Sequence, residues 1–242
     1  MKRHFTGLTD PGLVRSANQD SYYFDPEGRF FIVADGMGGH AGGEQASRIA
    51  AESIRKYLES HWKSSEKSEE LLKTAIKEAN NAILVDQVEN PERQDMGTTA
   101  VIVAFRQKQV WRAHVGDSRL YRLGTENLEQ LTEDHTWVGK AMKAGDITAE
   151  QAKVHPWRHV LSQCLGRKDL FQIDIAPIEL GDGDRLILCS DGLTEEVDDE
   201  EIKTIMLDSD TPEKAALNLV EAAKNNGGSD NVTVIVVNEA AE

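Results

Sequence analysis

The sequence predicts an α+β fold in which antiparallel sheets are covered by helices. Strand-like runs between residues 98 and 122 follow one another through short polar links, which calls for hairpins rather than βαβ crossovers. Two long amphipathic stretches precede that block and shorter helical patterns follow it. A sheet with an apolar face needs a covering layer, so helices packed on sheets satisfy both patterns. At 242 residues, 39% hydrophobic and 29% charged, the chain suits one large soluble domain. It shows no internal repeat, low-complexity tail or Pro/Gly/Ser linker.

Taken in order, apolar runs place strands at 22–24, 29–34, 98–105, 110–115, 119–122, 172–178, 185–189 and 232–237. Helices are expected from 43 to about 62 and from 69 to about 88. Shorter ones are expected near 136–143, 199–206 and 212–225. In the first helix Ala46, Ile49, Ala50, Ile54 and Leu58 recur at three- and four-residue steps, so one face is buried. Thr211 and Pro212 supply an N-cap and a first helical residue with preset φ. Asn226-Gly227-Gly228 stops that last helix. Residues 60–70 read as a solvated loop, and 137–168 as a flap-like insertion of the kind that borders sites. Asp182-Gly183-Asp184 lacks the later glutamate of a calcium loop and reads as a hairpin turn.

Bulk charge narrows the function classes. Lys and Arg number 27 against 42 Asp and Glu, a net charge of −15 that repels nucleic acid and anionic membrane and favours cations. No apolar stretch approaches the roughly 20 residues that span a bilayer, and no signal-like run follows the basic start. Cys164 and Cys189 form no metal-type pair. A monomer in the reducing cytoplasm, acting on neither polynucleotide nor lipid, is the expectation.

The segment Val33-Ala34-Asp35-Gly36-Met37-Gly38-Gly39-His40 has two distant echoes, Ser190-Asp191-Gly192 and Asp230-Asn231. In each, an aspartate sits where an apolar run meets a turn. Strand ends are rigid, so such carboxylates can converge from far apart in sequence, and converging carboxylates repel unless a cation lies between them. All-oxygen ligation suits Mg²⁺ or Mn²⁺. Gly36-x-Gly38-x-x-Ala41 loosely fits a dinucleotide fingerprint, but no second strand ending in an acid follows. The glycines better suit close approach of backbone carbonyls and a small anion.

Seven motifs occur in one order: Arg15-Ser16-Ala17-Asn18-Gln19-Asp20, the 33–40 segment, Gly97-Thr98-Thr99, Val115-Gly116-Asp117-Ser118-Arg119, Leu131-Thr132-Glu133-Asp134-His135-Thr136, Ser190-Asp191-Gly192-Leu193-Thr194 and Asp230-Asn231-Val232-Thr233. Together they resemble the PPM-type (type 2C) metal-dependent serine/threonine protein phosphatases in their compact bacterial form. The resemblance runs over about residues 5–237. It implies a four-layer α-β-β-α sandwich of two antiparallel sheets flanked by helix pairs, built as a single catalytic domain over 1–242. It further implies two core Mn²⁺ or Mg²⁺ ions and a weaker third, and phosphorylated proteins as substrates. By motif, Asp35 would bridge the two ions, with the Gly36 carbonyl on the first, and Asp191 and Asp230 would complete the second. Asp20 would act through water, and Asp117 with Asp191 would hold the third. Arg15 would grip the phosphate and His40 would protonate the leaving oxygen. Gln19 stands where many eukaryotic members have glutamate, and residues 160–166 follow the family's flap pattern loosely.

The implied chemistry is sound in itself. Two metals about 3.5–4 Å apart lower the pKa of a bridging water and neutralise phosphoryl oxygens, so a metal-bridged hydroxide can attack in line without a covalent intermediate. Guanidinium pairs bidentately with phosphate, and imidazole can donate to an alkoxide leaving group. Each residue alone has a plainer reading: Asp before Gly as a turn former, Arg15 as a surface cation, Asp117 as the cap of its own turn. His155 and His159 have the spacing of a zinc pair but lack a third ligand. Trp111, Trp137 and Trp157 read as packing residues.

Overall fold

The computed structural model describes residues 3–39 and 42–239. Its strands are β1 (Arg3–Asp10), β2 (Asp20–Phe24), β3 (Phe30–Met37), β4 (Gly97–Thr98), β5 (Ala100–Arg106), β6 (Gln109–Val115), β7 (Arg119–Leu123), β8 (Leu128–Gln130), β9 (Asp174–Ile178), β10 (Arg185–Cys189) and β11 (Val232–Glu239). Its helices are α1 (Gly42–His61), α2 (Ser68–Glu89), α3 (Trp137–Ala144), α4 (Ala149–Lys153), α5 (Asp191–Thr194), α6 (Asp199–Leu207) and α7 (Pro212–Asn226). One sheet runs β1-β11-β10-β7-β8 and the other β2-β3-β5-β6-β9, with β4 paired to the end of β3 and every pairing antiparallel.

Strand alternation sorts the side chains into three apolar layers. On β3, Phe30, Ile32 and Ala34 turn toward α1 and α2, meeting Ala46, Ala50, Ile54, Leu71 and Ile76. Phe31 and Val33 turn the other way, onto Leu120, Leu186, Leu188, Ile235 and Val237 of the facing sheet. The far side of that sheet, with Ile187, Cys189, Val234 and Val236, is covered by Ile202, Met206, Leu219 and Val220 of α6 and α7. The four-layer α-β-β-α arrangement is therefore present.

Most expected elements fall within a residue or two of their places. Thr211 caps α7 by accepting from the Lys214 amide, with Pro212 at its first turn. Two expected hairpins are corrected. The runs at 110–115 and 119–122 are not partners: β6 belongs to one sheet and β7 to the other, so Gly116-Asp117-Ser118 is a crossing between sheets. The turn at 181–184 likewise carries the chain from β9 to β10 across the sandwich, not along one sheet. The expected strand 98–105 is broken at Thr99, where β4 leaves off and β5 begins.

Candidate metal centre

The same alternation that builds the inter-sheet core aims the acidic side chains. Asp35 follows Phe31 and Val33 on the inner face of β3, and Asp20 precedes Tyr22 and Phe24 on the inner face of β2. The two aspartates are direct cross-strand partners. Like charges so placed destabilise a sheet pair unless something offsets them. From the other sheet, Ser190 directly follows β10 in phase with Leu186 and Leu188, and its hydroxyl donates to Asp20 Oδ2 at 2.7 Å. Asp191 opens α5 directly after it, and Asp230 lies just before β11, the neighbour of β10. Asp117 sits in the crossing between the sheets. Both sheets thus deliver carboxylates to one end of the sandwich.

These carboxyls perturb one another. Burial, then Asp20, Asp191 and Asp117, pushes Asp35 well above the usual carboxylate range, with its carboxyl set against that of Asp191. Burial foremost, with added repulsion from Asp191 and Asp230, raises Asp20 to about 7. Burial, then Asp191 and Asp134, raises Asp117. Asp20 is buried, whereas Asp35, Asp117, Asp191 and Asp230 keep an open edge. Asp20 Oδ1 is buried with no hydrogen-bond partner. A cleft lined with hard oxygen donors, one of them orphaned, fits Mg²⁺ or Mn²⁺.

Backbone fastening keeps the donors in place. The Asp35 amide donates to Thr99 Oγ1 at 2.9 Å, and Thr99 Oγ1 lies 2.6 Å from Ser118 Oγ, which joins β3 to the crossing that carries Asp117. The Gly36 amide donates to the Gln19 carbonyl at 3.1 Å. A Cβ on Gly43 would lie 2.7 Å from the Gly36 carbonyl oxygen, so glycine is required where α1 starts against β3. Asn231 Oδ1 accepts from the Gln19 amide at 2.8 Å, and its Nδ2 donates to the Pro11 and Ala17 carbonyls, fixing the loop that bears Arg15. Arg15 Nη2 donates to Asp230 Oδ2 at 2.6 Å, on the exposed rim.

Of the residues singled out in the sequence, Asp20, Asp35, Gly36, Asp117, Asp191, Asp230 and Arg15 come together, while His40 lies outside the described residues. The sequence reading missed Glu195, one turn beyond Asp191. It pairs with His159 of the flap, and burial, then Asp191 and Asp230, raises it to about 7. Its position four residues after Asp191 was the available signal. His155 instead stacks on Trp137 at 4.7 Å between ring centroids, so His155 and His159 serve different partners and form no zinc pair. Trp157 stands edge-on to Trp137 at 5.0 Å yet stays half exposed.

Two stacked antiparallel sheets thus hold, at one end, an aspartate-lined cleft suited to hard divalent cations. Comparison with known proteins agrees. Residues 14–221 match the family profile described as Protein phosphatase 2C. The serine/threonine phosphatase stp of Listeria monocytogenes serotype 4b is 36% identical over 243 residues, covering 97% of this chain and 95% of that protein. The crystal structure of the Mycobacterium tuberculosis serine/threonine phosphatase PstP/Ppp is 36% identical, with a TM-score of 0.88 over 98% of this chain and 99% of that one. The catalytic domain of PstP in complex with two manganese ions is 33% identical, with a TM-score of 0.88 over 98% of each chain. The chain belongs to the protein phosphatase 2C family, and with it to the metal-dependent serine/threonine protein phosphatases.

Proposed function

We propose that this chain hydrolyses phosphoserine and phosphothreonine in proteins by direct attack of water. Asp35 and the Gly36 carbonyl, Asp191 and Asp230 would hold two Mn²⁺ or Mg²⁺ ions, and Asp20 would support the first through water. Asp117 with Asp191 would hold a weaker third. The observation that carries the reading is the convergence of Asp20, Asp35, Asp117, Asp191 and Asp230 from both sheets around an orphaned buried carboxylate oxygen. Bound divalent ions supply charge neutralisation at the phosphoryl oxygens and a water of lowered pKa.

The chain's own groups do the rest. No described side chain at the site is poised as a nucleophile: Ser190 is buried and donates to Asp20, and Thr99 is tied to the Asp35 amide and Ser118. Burial holds the Cys164 and Cys189 thiols up, at about 11 and about 12, so both stay protonated. Water is then the nucleophile, and no covalent intermediate forms. Arg15, at the rim beside Asp230, is within the region a phosphate would enter and offers a planar fork of donors. His40 would donate the proton that the departing serine or threonine oxygen needs. The flap at 137–168 borders this mouth through the His159–Glu195 pair. The reading treats 1–242 as a single catalytic domain acting as a cytoplasmic monomer. Among the described residues no helix is long and apolar enough to cross a membrane.

The test is hydrolysis of p-nitrophenyl phosphate by metal-stripped protein titrated with Mn²⁺, followed by phosphothreonine peptides against small phosphoesters. Turnover that appears with Mn²⁺, vanishes with chelator and favours the peptides supports the proposal. Mn²⁺ binding without turnover would instead mark a binding module on the same fold.

A further inference from the structure

Behind the Asp117 crossing lies a cluster that the proposed chemistry does not use. His114 on β6, His135 on the segment entering α3 and Asp174 at the start of β9 bring one nitrogen or oxygen each within 4.8 Å of one another. Both imidazoles are buried and stacked, with centroids 4.6 Å apart, while the Asp174 side chain is about one-third exposed. The trio has the look of a metal site, but the protons decide otherwise. A backbone amide can only donate, and the Gly116 N–H donates to His135 Nδ1 at 3.2 Å. In the neutral ring the proton therefore sits on Nε2, which faces Asp174 Oδ2 at 3.1 Å and the Gln172 side-chain amide nitrogen at 3.2 Å. An amide NH2 only donates, so the carboxylate is the acceptor for Nε2–H, and the Gln172 amide reaches the same carboxylate at 3.5 Å. His135 has no lone pair left for a cation. His114 Nε2 lies 2.8 Å from the Glu133 carbonyl oxygen, so its proton is committed there. Burial lowers His114 to about 4 and keeps the ring neutral.

We propose that Asp174 and His135 form a positioning pair for Asp117. By accepting from Nε2–H, Asp174 fixes the tautomer that leaves His135 Nδ1 free to accept from Gly116, the residue immediately before Asp117. The His135 amide donates back to the Gly116 carbonyl at 2.9 Å, so one residue grips the Gly116 peptide units from both sides. Gly116 sits at φ +108°, a region glycine enters freely, so these contacts set the orientation of its peptide units. The His135 carbonyl also accepts from the amide of Ser162 at 2.8 Å, where the flap returns to the body, so the same residue ties flap and crossing together. Without the Asp174 oxygen the Nδ1–H tautomer becomes accessible, and it sets two donors head to head at Gly116. The inference rests on Asp117 being a metal ligand.

The test pairs Asp174→Ala with Asp174→Asn, whose amide oxygen can still accept from Nε2–H. In metal-free protein, histidine ¹⁵N shifts are expected to show His135 as Nε2–H in wild type and in Asp174→Asn, with the Nδ1–H form appearing in Asp174→Ala. In calorimetric Mn²⁺ titrations, Asp174→Ala should weaken the weakest class of sites by about 10-fold, the lower end for outer-sphere partners, and spare the tighter ones. Asp174→Asn should restore most of that loss. An unshifted tautomer in Asp174→Ala, a wild-type isotherm, or equal impairment of both variants would overturn the pair's role. Asp117→Asn separates the two claims. If it leaves the isotherm unchanged, Asp117 is no ligand and the inference falls with it; if it removes the weakest class while Asp174→Ala does not weaken it, only the positioning role falls.

Discussion

Asp35 shows at the scale of one residue how the centre trades stability for binding. It lies against Asp20, Asp191 and Asp117, all carboxyls like its own. Replacing it with Asn removes a charge that is costly in the absence of metal. Asp35→Asn should therefore raise the melting temperature of metal-free protein at pH 8 while abolishing Mn²⁺-dependent turnover; a lower melting temperature would mean the carboxylate is structurally satisfied. His40 makes a different prediction. If it protonates the leaving oxygen, His40→Ala should slow phosphothreonine peptides by about 10²–10⁴-fold and p-nitrophenyl phosphate, a good leaving group, far less. Equal losses on the two substrates would exclude the assigned role. Asp35, Asp191 and Asp230 were legible in the sequence because each stands where an apolar run meets a turn, whereas Asp20 and Asp117 stood out only through the motifs that contain them. Ser190, Thr99 and Glu195 were not legible, since their orientation depends on register and on which strand lies opposite. Alternation tells which side of its own strand a residue takes, but not what it meets there.

At the scale of elements, legibility followed the strength of the local pattern. The runs giving β10, β11 and the helices α1, α2 and α7 are long and periodic, and they were found. β1 was not, because Gly7 interrupts its alternation; the structure explains that glycine, as a Cβ there would lie 2.6 Å from the Tyr22 ring. α5 spans four residues, too few for a period to register. The false hairpin at 110–122 arose because a short polar link looks the same whether it returns along one sheet or steps to another. Gly116 is what permits the step. Its φ of +108° disfavours any side chain, and a Cβ would come within 2.6 Å of Thr99 Cγ2. Gly116→Ala should destabilise the protein by about 1–3 kcal/mol in urea unfolding. A loss under half that would show the crossing to be pliable.

For the whole molecule, the acidic cleft sets the pH response. Asp20, Asp35, Asp117, Asp191 and Glu195 titrate higher in the folded state than in the unfolded chain, so the native state holds more protons above about pH 4 and loses stability as pH rises. His114, lowered to about 4 chiefly by burial, acts the opposite way, adding stability as pH rises from about 4 to 6.5, the range between its folded and unfolded values. Above pH 6.5 the carboxylates act without that opposition. Metal-free protein should lose melting temperature between pH 6.5 and 8, and saturating Mn²⁺, which displaces those protons, should flatten the curve. A flat metal-free curve would show the carboxylates to be compensated by other means. The sheet order carries a consequence for how this protein is made. β11 is a middle strand of its sheet, between β1 and β10, and Asp230 stands at its root. A ribosome delivers it after the other strands among the described residues, so β1 must wait for its partner until residues 232–239 emerge. During synthesis the nascent chain carries Asp20 and Asp35 without the strand that brings in Asp230, and a truncated product can neither close that sheet nor complete the cleft. Synthesis thus leaves the cleft open until β11 is in place.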